Sequence, residues 1–217
     1  EMLKKMKDNA GEGWQELSSS AFGGTGSYGN GSAMRSAPVG AFFCDSEPEK
    51  IFSEAAASAR VTHWHQDAIC GAAAVSLATA FVTKKSSDSS SIVDHSEMID
   101  FILNGILHHG SHFSDLVSKV RQVPLGFDIG HASAAAEILG NGDKTACSDT
   151  VPFDLWCACS FLDSRNKGRK PSFQDAMWMT ASVQGDVDTN CAIVGGIISS
   201  ACKKTDLLEW KIGRAHV

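Results

Sequence analysis

The stretch DAICGAAAVSLA, residues 67–78, decides the fold. It starts with an acidic residue and continues as a run of small and apolar side chains. Nothing in it alternates with the period of two that a half-buried strand requires. It reads as a helix starting near Asp67 and running on through Ala78. Its alanines, glycine and serine leave room for neighbouring helices to approach closely.

The same reading extends in both directions. Upstream, Asp45-Ser46-Glu47-Pro48-Glu49 supplies a capping side chain, a proline for a first turn and acids near the positive end of a helix dipole. The helix it opens is expected to run to about Val61. Downstream, Lys84 to Ser91 reads as a polar loop. Further helices are expected at 96–108, 113–121, 131–139, 152–163, 172–182 and 190–203, with Pro152 and Pro171 near two of the starts. No convincing strand is found, so the predicted class is all-α, a compact multi-helix orthogonal bundle.

Bulk properties exclude several function classes. Hydrophobic residues make up 43% and charged residues 20%, as in an ordinary globular chain. The net charge is −6, and no Lys/Arg-rich run forms a stripe, so direct DNA binding is not expected. The nearest candidate, Arg165-Asn166-Lys167-Gly168-Arg169-Lys170, reads as an exposed turn. No apolar stretch approaches the roughly 20 residues of a membrane span, so no membrane association is expected either. Seven cysteines without framework spacing read as free thiols in a reducing, intracellular (cytoplasmic) compartment.

Three constellations could carry chemistry. The first is Gly26-Ser27-Tyr28-Gly29-Asn30-Gly31, inside a Gly/Ser-rich segment spanning residues 19–36. Glycines let backbone N–H groups face a phosphate without obstruction. Ser27 adds a hydroxyl, Tyr28 or Phe22 a stacking surface, and Asn30 both a donor and an acceptor. The alternative is a merely flexible loop. The second is Thr62-His63-Trp64-His65. A zinc site would need further ligands that no nearby spacing supplies. That leaves His63 either as a neutral hydrogen-bonding group at a ligand pocket or as a satisfied core histidine. The cluster His108-His109-x-x-His112 reads as a helix end.

The third constellation is Asp186-Val187-Asp188-Thr189. In a non-helical turn the two carboxylates can face one point, and Thr189 adds a neutral oxygen. Such hard oxygen ligands suit Mg²⁺ or Ca²⁺. Alternatively, Asp188 or Thr189 caps a helix starting at Asn190. A cap accounts for one acid only, and two unpaired neighbouring carboxylates would repel each other without a cation.

Taken together and in order, these stretches resemble the ADP-ribosylglycohydrolase family. Its pattern is a Gly-Asn-Gly-x-x-Met-Arg loop, a Thr-His after the next helix, and later a Gly-Asp-x-Asp-Thr segment. Leu139-Gly140-Asn141-Gly142 and Thr150-Val151-Pro152 are also similar to family segments. The likeness runs from about residue 21 to 203. Within the family, Gly26–Gly31 looks most like the branch acting on serine-linked ADP-ribose, poly(ADP-ribose) and O-acetyl-ADP-ribose.

The resemblance implies an all-α fold with a pair of Mg²⁺ ions at the base of an ADP-ribose cleft. Asp186, Asp188 and Thr189 would be metal ligands. Gly26, Ser27, Tyr28, Gly29 and Asn30 would hold the diphosphate and ribose, with His63 contacting the ligand. Gly140 and Asn141 match a turn of less defined role. The implied substrates are ADP-ribosylated proteins or poly(ADP-ribose), and the implied reaction is hydrolysis at the anomeric carbon. The competing expectation is a non-catalytic ADP-ribose binder or a crystallin-like structural relative.

The family's Thr-Asp-Asp motif and its proposed catalytic acid find no match upstream of the glycine loop. No catalytic residue is therefore assigned. The expected organisation is one N-terminally truncated domain over residues 1–210. Residues 211–217 resemble the translation of a sequencing-adapter oligonucleotide and are read as a non-native tail.

Overall fold

In a computed structural model, residues 12–87 and 93–202 are described. The proposed tail at 211–217, the chain start and part of the expected Ser-rich loop lie outside them. The protein is all-helical. In chain order the helices are α1 (Trp14–Ser19), α2 (Gly31–Met34), α3 (Ala37–Phe42), α4 (Pro48–Arg60), α5 (Gln66–Ser87) and α6 (His95–Ile106). They continue with α7 (Ser111–Lys119), α8 (Ile129–Leu139), α9 (Cys147–Asn166), α10 (Phe173–Ala181) and α11 (Val187–Ile198). A lone turn at Ala21–Gly24 and two 3₁₀ turns complete the order. Among the described residues, extended pairing is confined to one isolated bridge between Gly29 and Ala146.

The stretch that opened the reading forms the middle of the molecule. Every residue from Ala68 to Val82 on α5 is buried, and α3, α4, α6, α9 and α11 all pack on it. Small residues set these approaches. A Cβ on Gly40 of α3 would collide with the Ser76 carbonyl of α5. One on Gly105 of α6 would stand 2.6 Å from a Leu77 methyl. The buried Ser76 hydroxyl is satisfied by the Ser36 carbonyl at 2.9 Å.

At 22 residues, α5 is long and apolar enough to cross a membrane by length and composition. This corrects the expectation that no stretch approaches that length. Polar interruptions such as Ser76 and Thr79 break up the apolar run in the sequence, but they do not break the helix. Of its most apolar window, 83% is buried inside the protein, as in the core helix of a globular bundle.

The second central element is α9, buried from Thr150 to Leu162. Phe153 and Phe161 are fully buried on it, each contributing about 1.5–3 kcal/mol relative to exposure. Trp156 is buried too, and its indole N–H reaches the Pro124 carbonyl at 3.3 Å.

Three boundaries depart from the sequence reading. Helix α9 starts at Cys147, so Pro152 sits inside it. A proline near a helix start forfeits one backbone bond, and the start is held by tertiary contact instead, with Cys147 N–H donating to the Tyr28 carbonyl at 3.0 Å. Helix α5 continues through Lys84–Ser87, where Lys84 and Lys85 face the negative end of the dipole. Lys85 also pairs with Glu97 at 2.9 Å. Helix α11 begins at Val187 rather than Asn190. Pro171, by contrast, precedes a helix as expected, and Ser172 and Asp175 form a reciprocal capping box there. Cys70, Cys147, Cys157 and Cys159 are buried free thiols.

Candidate functional site

The glycine loop is pinned at both ends and in its middle. Gly26 takes φ +73°, and a Cβ there would lie 2.8 Å from the His65 backbone nitrogen. The Ser27 carbonyl accepts from His65 N–H at 3.3 Å. The Ser27 hydroxyl accepts from Gly29 N–H at 3.2 Å. Asn30 N–H donates to the Thr145 carbonyl at 3.0 Å. The loop is thus clamped between the start of α5 and the start of α9. Its backbone is committed, not floppy, which disfavours the flexible-loop reading.

That commitment also shows which backbone donors remain. Gly26, Gly29 and Asn30 N–H groups are used within the protein, whereas those of Ser27 and Tyr28 have no acceptor among the described residues. Beside them Tyr28 is 47% exposed and Phe22 66% exposed. Their rings lie 5.8 Å apart, and Tyr28 meets His65 edge-on at 5.9 Å. Free N–H groups next to exposed rings suit a ligand that combines anionic oxygens with a flat heterocycle.

Asn30 joins the first and third constellations. It is buried, and its amide nitrogen donates to Asp186 Oδ2 at 2.7 Å and to Thr150 Oγ1 at 3.1 Å. Residues 156 positions apart therefore touch. Asp186 is the residue preceding α11, and Asp188 and Thr189 lie in the first turn of that helix. The expected non-helical turn is replaced by a helix start. The Asp186 side chain bonds Asn30, with the Thr189 backbone N–H of the first turn of α11 also approaching it. Burial works against its charge. Even so, Asn30, the Thr189 hydroxyl and the Asp188 carboxyl approach it and hold it below the usual aspartate range. Thr189 is buried, and its hydroxyl also contacts Met34 Sδ at 3.3 Å.

The turn at Gly140 and Asn141 buttresses this helix start. The Asn141 carbonyl accepts from Asp186 N–H at 3.2 Å and from Asn190 Nδ2 at 2.7 Å. Space for it exists only because three residues lack side chains. Gly185 (φ +76°) would collide with that carbonyl and Gly140 (φ +94°) with the Asp149 carbonyl, while a Cβ on Gly142 would stand 2.8 Å from the Asp186 Cβ. A groove of about 640 Å³ runs beside this turn, lined by Asn141, Asp149 and Gln184 among others. No glycine-loop residue lines it, and the Asn30 bonds rather than this groove unite the motifs.

His63 lies under the loop. Cβ atoms on Gly29 and Gly31 would each come within 3.3 Å of its Nε2. Burial first, then the nearby Arg35 charge, lowers its pKa to about 4, so the ring is neutral at physiological pH. His65 also borders the loop through its backbone and ring, whereas His109 lies elsewhere, stacked on Phe52 at 3.7 Å and 3.3 Å from Glu49.

Whether these residues suit a metal can be judged from the donors. The Asp188 carboxyl and the Thr189 hydroxyl lie beside the Asp186 carboxyl, and all three are hard oxygen donors of the kind Mg²⁺ prefers. Among the described residues no group of three His, Cys, Asp or Glu side chains is poised around one point. Behind the site, however, Asp154 is completely buried with neither carboxyl oxygen hydrogen-bonded, and Asn190 Oδ1 is equally orphaned. Burial and the Asp186 charge raise the Asp154 pKa well above the usual range. These unmatched acceptors fit a region able to hold a cation. Asp154 escaped the sequence reading because VPFDLWCAC looks like an apolar run with one ordinary acid. Thr150, one helical turn before it, was visible only as part of a motif.

The chain belongs to the ADP-ribosylglycohydrolase family, whose model matches residues 2–211. Among curated proteins it is similar to the ADP-ribosylhydrolase ARH3 of Mus musculus, with 27% identity over 188 residues. The match covers 81% of this chain and 50% of the mouse protein, so the chain spans about half the length of the relative it matches.

Proposed function

We propose that the site binds the ADP-ribose moiety of an ADP-ribosylated protein or of poly(ADP-ribose), and that the full site hydrolyses the bond at its anomeric carbon with Mg²⁺. The observation that carries the reading is the bond from Asn30 to Asp186, which joins a phosphate-type loop to a carboxylate pair. Ser27 and Tyr28 N–H groups receive the diphosphate. Tyr28 and Phe22 supply the face for the adenine, and neutral His63 donates or accepts at the ribose side.

Asp186, Asp188 and Thr189 would hold the Mg²⁺. What the ion supplies when bound is orientation of ribose hydroxyls and stabilisation of developing charge. The transition state carries oxocarbenium character, as in other glycosidic cleavages. The Gly26–Gly31 loop favours serine-linked or polymeric substrates over arginine-linked ones. We further propose that residues 1–210 act as one domain.

The test is release of ADP-ribose from serine-modified and arginine-modified peptides with Mg²⁺, run alongside Asp186→Ala. Release from the serine peptide that Asp186→Ala abolishes supports the reading. Release indifferent to Asp186→Ala, or preference for the arginine peptide, overturns the site or the branch respectively.

A second reading, a non-catalytic ADP-ribose binder, is favoured by the predominance of binding groups at the loop. ADP-ribose affinity without turnover would select it.

A further inference from the structure

The surroundings of His63 specify more than its charge. Arg35, just after α2, donates through Nη2 to the Thr62 hydroxyl at 2.7 Å and to the Ser58 carbonyl at 3.0 Å. Its Nη1 reaches the Gly31 carbonyl at 3.3 Å. Thr62 Oγ1 in turn lies 2.7 Å from His63 Nδ1. His63 N–H is anchored on the Ala59 carbonyl at 2.8 Å, which fixes where the ring hangs from the chain. Guanidinium, hydroxyl and imidazole thus form one line that ends at the glycine loop.

The direction of the protons along this line follows from chemistry. An arginine side chain has donors and no acceptor, so Thr62 Oγ1 must accept from it. A hydroxyl beside a fixed cation turns its oxygen toward the charge and its hydrogen away. The hydrogen then points at Nδ1, which accepts it. A neutral imidazole carries one proton, so that proton sits on Nε2. The opposite arrangement would aim an Nδ1–H at an oxygen already receiving a guanidinium N–H. It would also leave the Thr62 hydrogen without an acceptor among the described residues.

The free end of the line is accessible for a reason. Nε2 has no hydrogen-bond partner among the described residues. The two backbone positions above it, Gly29 and Gly31, are the ones where a side chain would cover it. The Ser27 hydroxyl of the loop accepts from Gly29 N–H.

We propose that Arg35 and Thr62 are positioning residues that lock His63 in its Nε2–H tautomer, making it a standing hydrogen-bond donor to an anionic or hydroxyl oxygen of a ligand seated on the glycine loop. The proposal rests on the reading of that loop as the ADP-ribose site, but the tautomer itself does not depend on the ligand's identity. A locked donor costs no proton rearrangement when ligand arrives. It also prefers an oxygen acceptor over a cationic or N–H-bearing group at that point.

The experiment is long-range ¹H–¹⁵N correlation NMR on the full chain with ¹⁵N-labelled histidine at pH 7, paired with ADP-ribose titration calorimetry. The expected result is a single Nε2–H tautomer for His63, kept in Thr62→Ser and converted to a mixture in Thr62→Val and Arg35→Met. ADP-ribose affinity should fall about threefold to tenfold in Thr62→Val, the usual effect of one misdirected hydrogen bond, and recover in Thr62→Ser. An Nδ1–H tautomer in the parent protein overturns the proposal. So does a tautomer unchanged by both Thr62→Val and Arg35→Met. If Thr62→Val does not fold, the parent spectrum and Arg35→Met decide alone. A locked Nε2–H tautomer with no ADP-ribose binding at all leaves the relay standing and refutes the proposed function instead.

Discussion

Replacing Asp154 with alanine is expected to stabilise this protein, and the size of the effect should depend on pH. The side chain is 0% exposed and both carboxyl oxygens lack partners. An unsatisfied buried polar group costs about 1–3 kcal/mol, and the small void left by truncation returns about 1 kcal/mol of that as lost packing. Near pH 4 the variant should therefore gain about 1 kcal/mol, or about 2–4 °C in Tm for a chain of this size.

Above that pH a second effect adds to the first. Burial, then the Asp186 charge, raises the folded-state pKa of Asp154, while the unfolded value stays near about 3.9. Below the unfolded value both states hold the proton, and the group has no pH dependence. Above it the unfolded chain releases a proton that the folded chain keeps. Stability then falls by up to about 1.4 kcal/mol per pH unit until the folded group ionises. Alanine removes that slope, so its advantage should widen from pH 4 toward neutrality. Asp154→Asn keeps an orphaned amide and should flatten the slope without the gain near pH 4. Thermal and urea denaturation in EDTA at a series of pH values reads both effects. An alanine variant no more stable than the parent at pH 7, or a gain constant with pH, would refute the reasoning.

Other outcomes follow from the same geometry. Asn30→Ala removes a 2.7 Å bond to a charged acceptor and should cost about 1.5–3 kcal/mol of stability in denaturation, along with at least tenfold in ADP-ribose affinity. Gly185→Ala combines a positive φ with collision on the Asn141 carbonyl, whereas Gly168→Ala has the positive φ with nothing within 4 Å. Denaturation curves should show Gly168→Ala costing about 1 kcal/mol and Gly185→Ala clearly more. His63 should titrate near pH 4 by NMR, and Arg35→Met should raise that midpoint, since the Arg35 charge is the second cause of the depression. Because the folded value is the lower one, His63 favours the folded state above about pH 6.5 and loses that contribution as the pH falls toward 4.

Much of the bundle was legible in the chain because helices report themselves locally. Small residues at 67–78 and the prolines Pro48 and Pro171 are short-range signals, and they mark α5, α4 and α10. Boundaries were lost where a distant contact overrode the local signal. Pro152 suggested a start, but Tyr28 and Ala146 set it five residues earlier. The loop, His63 and the aspartate pair were legible as residue types in order.

What residue order alone determined was the helical class and the family likeness, along with a set of candidate site residues. The tertiary structure alone decided how those groups are wired. Asn30 and Asp186 lie 156 positions apart and meet at 2.7 Å. Arg35 reaches Thr62 across 27 positions to set the proton on His63. Asp154, an unremarkable acid in the sequence, loses every hydrogen-bond partner once α9 and α11 close around it. Local propensity acts over a few residues, whereas hydrogen-bond direction, burial and charge proximity exist only after helices far apart in the chain have packed.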